Sequence, residues 1–99
     1  MSIDTVVLSP SVTGIYAGAF KDSQVRTVEV HSSIIYIEDG FEGSAVSEVK
    51  LLNSGLTSIV MPEGCTLSEN ITFYVHKSRL KLTRDINSEI ADQIKALPE

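Results

Sequence analysis

The chain predicts a mainly β fold: a small antiparallel β-sandwich or barrel, one domain over residues 1–99, with a C-terminal α-helix at about 86–97. Three observations lead there. Short β-prone runs recur between turn residues, several alternate with a period of two, and a helical period enters only near the end. A chain of 99 residues suffices for about one domain, burying roughly 60–65% of its unfolded surface without disulfides or metal.

Thr5-Val6-Val7-Leu8 is a β-prone run stopped by Ser9-Pro10, and Ile15 to Phe20 is a second one interrupted by glycine. Gln24 to His31 alternates, with Val28 and Val30 on one face and Thr27 and Glu29 on the other, as a half-buried strand requires. Ile34 to Ile37 is fully apolar and closes on Asp39-Gly40, a dipeptide suited to positive φ. Only a few small polar residues separate these last two runs, so the reading pairs them antiparallel.

Residues 44–55 fit a helix with Val46, Val49 and Leu52 near one face, or a strand with Val49 and Leu51 on one side; the β context favours the strand. Leu56 to Met61 is another β run, broken by Pro62-Glu63-Gly64. Ile71, Phe73 and Val75 alternate with Thr72, Tyr74 and His76, and Leu80 and Leu82 with Lys81 and Thr83, so 71–83 reads as a β-hairpin turning at Lys77-Ser78. Ile86, Ile90, Ile94 and Leu97 then recur at helical spacing after Asp85, a plausible N-cap, and their stripe must pack on the sheet or on a second chain. No internal repeat or linker is read along the chain.

Composition narrows the function. Hydrophobic residues make up 42%, as in globular chains, and no window of 18 apolar residues suggests a membrane span. The N-terminus carries Asp4 and no basic region, so a secretory signal is not expected and cytoplasmic synthesis is. A net charge of −5 repels nucleic acid and anionic lipid at long range, making a nucleic-acid or membrane partner unexpected. The single cysteine excludes an internal disulfide and a multi-cysteine zinc site.

Candidate chemistry is sparse. Cys65 would need His31 or His76 as a base to act as a nucleophile, and it sits in a turn beside Glu63 with no family signature. The two histidines lie 45 positions apart without ligand spacing, so no metal is expected. Glu38, Asp39 and Glu42 gather in a glycine-containing turn that lacks calcium-loop spacing, and Asn70-Ile71-Thr72 matches a glycosylation sequon best read as the start of a strand. Phosphate loops, nucleophile elbows and paired catalytic carboxylates are absent from the sequence, so no enzyme activity and no cofactor are expected.

The hairpin candidate gathers Lys77, Arg79, Lys81 and Arg84 with Tyr74 nearby: a docking surface for an acidic protein face, a phosphate contact with Tyr74 stacking on a base, or simply the wet side of an amphipathic strand that carries Leu80 and Leu82 on its other face. Leu56 to Leu82, through Pro62, Gly64, Ile71 and Thr72, resembles the closing part of small accessory structural proteins of tailed bacteriophages, although a glycine is missing after Ser78. That resemblance covers about a quarter of the chain, implies a virion role and carries over no functional residue.

The expectation is therefore a non-enzymatic structural or interaction protein, a homo-oligomer or a subunit of a larger assembly, with Ile86, Ile90, Ile94 and Leu97 as its interface. A capsid or tail accessory subunit is the setting that the resemblance adds. The alternatives are an adaptor or inhibitor that binds a host protein through residues 77–84, and a small enzyme or ligand-binding barrel using His31, His76 or Cys65.

Overall fold

The computed structural model describes residues 4–16, 19–38, 41, 43–61 and 70–98. Among these residues eight strands form: β1 (Thr5–Val7), β2 (Gly14–Tyr16), β3 (Thr27–Val30), β4 (Ile34–Glu38), β5 (Glu48–Leu51), β6 (Ser58–Val60), β7 (Thr72–Val75) and β8 (Ile94–Ala96). One helix, α1 (Leu80–Ile86), and two 3-10 segments, Lys77–Arg79 and Ser88–Gln93, lie between β7 and β8.

Every ladder among these strands is parallel. One sheet has the order β1-β3-β5-β7-β8 and the other β2-β4-β6. The chain thus alternates between two sheets and returns one strand further along each time, which is the path of a solenoid. Thr5 lies beside Thr27, Thr27 beside Glu48, Glu48 beside Thr72 and Phe73 beside Ile94, so one circuit takes 21 to 24 residues. The antiparallel sandwich or barrel expected from the sequence is overturned: parallel sheets with a short helix in the last circuit give the chain an α/β-like character. In particular, β3 and β4 are not a hairpin. His31 to Ser33 is a corner that carries the chain from one sheet to the other.

The alternation read in the strands holds, and the register stacks it. Val28, Val49, Phe73 and Ile94 are successive partners with no exposed surface, so they form one inward column. Val30, Leu51 and Val75 form a second column, and Ile15, Ile35 and Ile37 face the same core from the three-stranded sheet. Strands spaced about 4.8 Å apart bring like side chains into direct contact, so a column of branched and aromatic residues packs without gaps. Burying each such side chain contributes about 1.5–3 kcal/mol.

The circuits also reveal a repeat that the sequence reading did not find. Phe20, Ser23, Val25, Val28 and Val30 recur 21 residues later as Phe41, Ser44, Val46, Val49 and Leu51. The corners built from them are the same. Ser23 Oγ donates to Phe20 O and Ser44 Oγ to Phe41 O, both at 2.7 Å, and each serine oxygen accepts the N–H two residues on. The residue before each serine has positive φ, Asp22 at 58° and Gly43 at 70°. The two phenylalanine rings stack with centroids 6.1 Å apart.

The last circuit departs from the pattern. Leu80 to Ile86 is helical rather than the second arm of a hairpin, and Ile94 to Ala96 is a strand rather than the end of a helix over 86–97. Among the described residues no helix is long and apolar enough to cross a membrane.

Candidate interaction surfaces

The basic cluster lies on the 3-10 segment Lys77–Arg79 and on α1 rather than on a hairpin. Lys77 and Lys81 are exposed on the 3-10 segment and on α1. Arg79 is half-buried, and its Nη1 donates to Asn53 O at 2.5 Å and Gly55 O at 3.3 Å, which ties down the corner between β5 and β6. Arg84 Nε donates to Ile94 O at 2.9 Å. Two of the four cations are therefore committed to backbone carbonyls. Tyr74 stands on the outer side of the five-stranded sheet, in register with Lys50 and Lys95.

The four residues expected as a helical interface separate as well. Ile94 is fully buried and Ile90 is 7% exposed, so both belong to the core. Leu97 is half-buried and Ile86 is 48% exposed.

Of the residues considered for chemistry, His31 lies 3.9 Å from Glu29, and His76 Nδ1 lies 2.8 Å from Ser78 Oγ and accepts the Ser78 N–H, capping the 3-10 segment. A shallow cavity of about 720 Å³ is lined by His76, Lys77, Ser78, Leu97 and Pro98. Its histidine and serine already satisfy each other. Among the described residues no group of three His, Cys, Asp or Glu side chains could hold a metal. Cys65, Glu63, Asp39 and Glu42 lie outside the described residues.

What the parallel topology creates instead is two ends, and they differ. In a parallel ladder alternate residues turn both N–H and C=O toward the same neighbour. Beyond β6, Thr57 O and Ile59 N–H are among the groups turned outward, and the buried side chain of Asn87 meets both. Its Oδ1 accepts Ile59 N–H at 2.8 Å while its Nδ2 donates to Thr57 O at 3.0 Å. That is the pair of bonds one residue of a further parallel strand would make, so the carboxamide occupies the place where such a strand would pair. Its Nδ2 also donates to Thr83 O at 3.0 Å, which anchors the amide to α1.

The β8 edge of the larger sheet is closed by other means. Leu97 N–H donates to Val75 O, so Ile94, Ala96 and Pro98 are the residues turned outward. Ile94 O is taken by Arg84, its N–H bonds to Ala91 O, and Pro98 has no N–H. Ala96 between them is too short a run to template a ladder. Edge strands of natural proteins are blunted by such devices.

The opposite end carries none of them among the described residues. Leu8 N–H donates to Glu29 O, and Asp4 O accepts from Arg26 and Thr27, so the even-numbered residues face β3 and Thr5 and Val7 face outward. In β2 the same rule turns Gly14 and Tyr16 outward, because Thr13 O accepts from Tyr36 N–H. Among the described residues the two most exposed hydrophobic side chains are here: Val7 is 62% exposed and Tyr16 59%. The Tyr16 ring lies across Gly14, where a Cβ would sit 2.8 Å from it, so a larger residue there would push the exposed ring aside.

Sequence reasoning missed Asn87, the structural role of Arg84 and the open end. A proline just after an edge strand and an asparagine just after a helix were the available signals for the closed end. Nothing local distinguishes an edge strand from a central one. Comparison of the chain with models of protein families, with curated proteins and with solved structures gives no match.

Proposed function

We propose that this chain is a non-enzymatic structural subunit that works by contact, through self-assembly or by docking on a larger assembly at its N-terminal end. The observation that carries this reading is the asymmetry of the solenoid: one end is closed by Asn87, Arg84 and Pro98, while the other presents uncharged outward strands. An unprotected edge is a template for another chain. The virion setting rests on the resemblance of Leu56–Leu82 alone and adds nothing to this geometric argument.

The adaptor alternative loses ground because Arg79 and Arg84 each donate to backbone carbonyls, leaving Lys77 and Lys81 as the exposed cations without such a bond among the described residues. The experiment that tests the assembly reading is the solution mass by light scattering over a range of concentration and salt. A discrete oligomer is expected. A monomer at every concentration would remove self-assembly from the reading.

A further inference from the structure

Building on that reading, we propose that the occupant of the open end is a second copy of this chain, with the two β1 strands paired antiparallel about a two-fold axis through Val6. Symmetry narrows the choice. A head-to-tail stack would need an open β8 edge to receive β1, and that edge is blocked by Arg84 and Pro98. An end that is open on one copy and closed on the other side is complemented by its own likeness, which is an isologous contact.

The register follows from which groups are free to pair. Thr5 and Val7 turn their N–H and C=O outward. In an antiparallel ladder the residues that exchange both bonds lie directly opposite and recur every second position. Thr5 therefore faces Val7 of the second copy and Val7 faces its Thr5, giving four N–H···O bonds. Val6, half-buried on the inner side, meets its own counterpart in the close non-hydrogen-bonded pair between them, which continues the inward column of Val28 and Val49 across the axis.

Charge agrees with this arrangement. The same axis sets Asp4 opposite Leu8 of the second copy, so no like charges oppose each other along the strand. The run Thr5-Val6-Val7 holds no lysine, proline or glycine that would guard the edge. Net repulsion remains at long range, because each copy carries −5. Added salt therefore strengthens the pair.

The test combines mass with amide exchange on the full chain. Sedimentation should give a species of twice 10.8 kDa that dissociates on dilution. Val7→Lys and Thr5→Pro should each halve the mass with circular dichroism unchanged, since both positions point away from β3. Lys95→Glu, at the closed end, should leave the dimer intact. Amide exchange at Thr5 and Val7 should slow at least tenfold as concentration rises. A trimer, or an oligomer that Val7→Lys and Thr5→Pro leave unchanged while those amides exchange freely, would overturn this proposal and keep the assembly reading. A monomer throughout would overturn this proposal and remove self-assembly from the reading, leaving docking on a larger assembly.

Discussion

Replacing Asn87 by alanine removes three hydrogen bonds at one stroke and leaves their partners in unequal positions. Thr83 O keeps the Asn87 main-chain N–H at 3.1 Å, so the end of α1 stays satisfied. Thr57 O and Ile59 N–H lose their only bonding neighbour on that side. An orphaned buried group costs about 1–3 kcal/mol, and Ile59 is half-buried, so water recovers part of its share. The total is about 3 kcal/mol, a large part of the roughly 5–15 kcal/mol that holds such a domain. With a urea m-value of about 1.5 kcal/mol/M, the midpoint should fall by about 2 M at unchanged slope. The Ile59 amide should lose protection against exchange before Val28 and Val49 do. Asn87→Asp sharpens the test: it keeps the acceptor for Ile59 N–H but points a carboxylate oxygen at two carbonyl oxygens, so it should be no better than alanine. A loss under about 1 kcal/mol for alanine, or rescue by aspartate, would refute the argument that the carboxamide stands in for a strand.

Other outcomes follow from the same geometry. Arg79→Lys should cost about 1 kcal/mol in thermal or urea melts, because the lysine stem is one bond shorter and its ammonium stops short of Asn53 O and Gly55 O, both reached by Nη1; Lys77→Ala should change stability by less than about 0.5 kcal/mol. Gly43→Ala should cost about 1 kcal/mol through its φ of 70°, whereas Asp22→Gly at φ 58° should be neutral or gain up to about 1 kcal/mol, both read by urea titration. Phe73→Ala, in the middle of the inward column, should cost about 3–5 kcal/mol by the same measurement, the largest loss among these variants.

The sequence made strand positions legible and strand partners illegible. Alternation in Thr27–Val30 and Thr72–Val75 reports which side is buried, and a parallel or an antiparallel neighbour gives the same pattern when one face is wet. The short break at His31–Ser33 suggested a hairpin because two nearby strands usually pair, yet its few residues suffice for a corner between sheets. The information that would have decided it was the 21-residue recurrence of phenylalanine, serine and valine from Phe20 to Leu51.

The last circuit failed for a different reason. Ile86, Ile90 and Ile94 share a four-residue spacing, but Ile94 is a strand residue whose burial comes from Phe73. Leu80 and Leu82 look alternating, while the buried residues are Thr83 and Asn87, polar positions that a search for apolar periodicity passes over. The candidate surface was legible only as a general need to cover strand edges. Which edges were closed depended on side-chain amides and guanidinium groups whose partners lie 10 to 30 positions away.

The recurrence of one corner, with its stacked phenylalanines and left-handed residue before the serine, makes length itself adjustable. Nothing in the closed end refers to how many circuits precede it: Asn87 and Arg84 touch only the final strands. Duplicating residues 27–47 should therefore insert one whole rung, lengthening the molecule by about one strand spacing of 4.8 Å while leaving both termini chemically the same. Insertion of half that segment would instead carry every later strand to the opposite sheet. A chain of this design grows in whole rungs, as a ruler does.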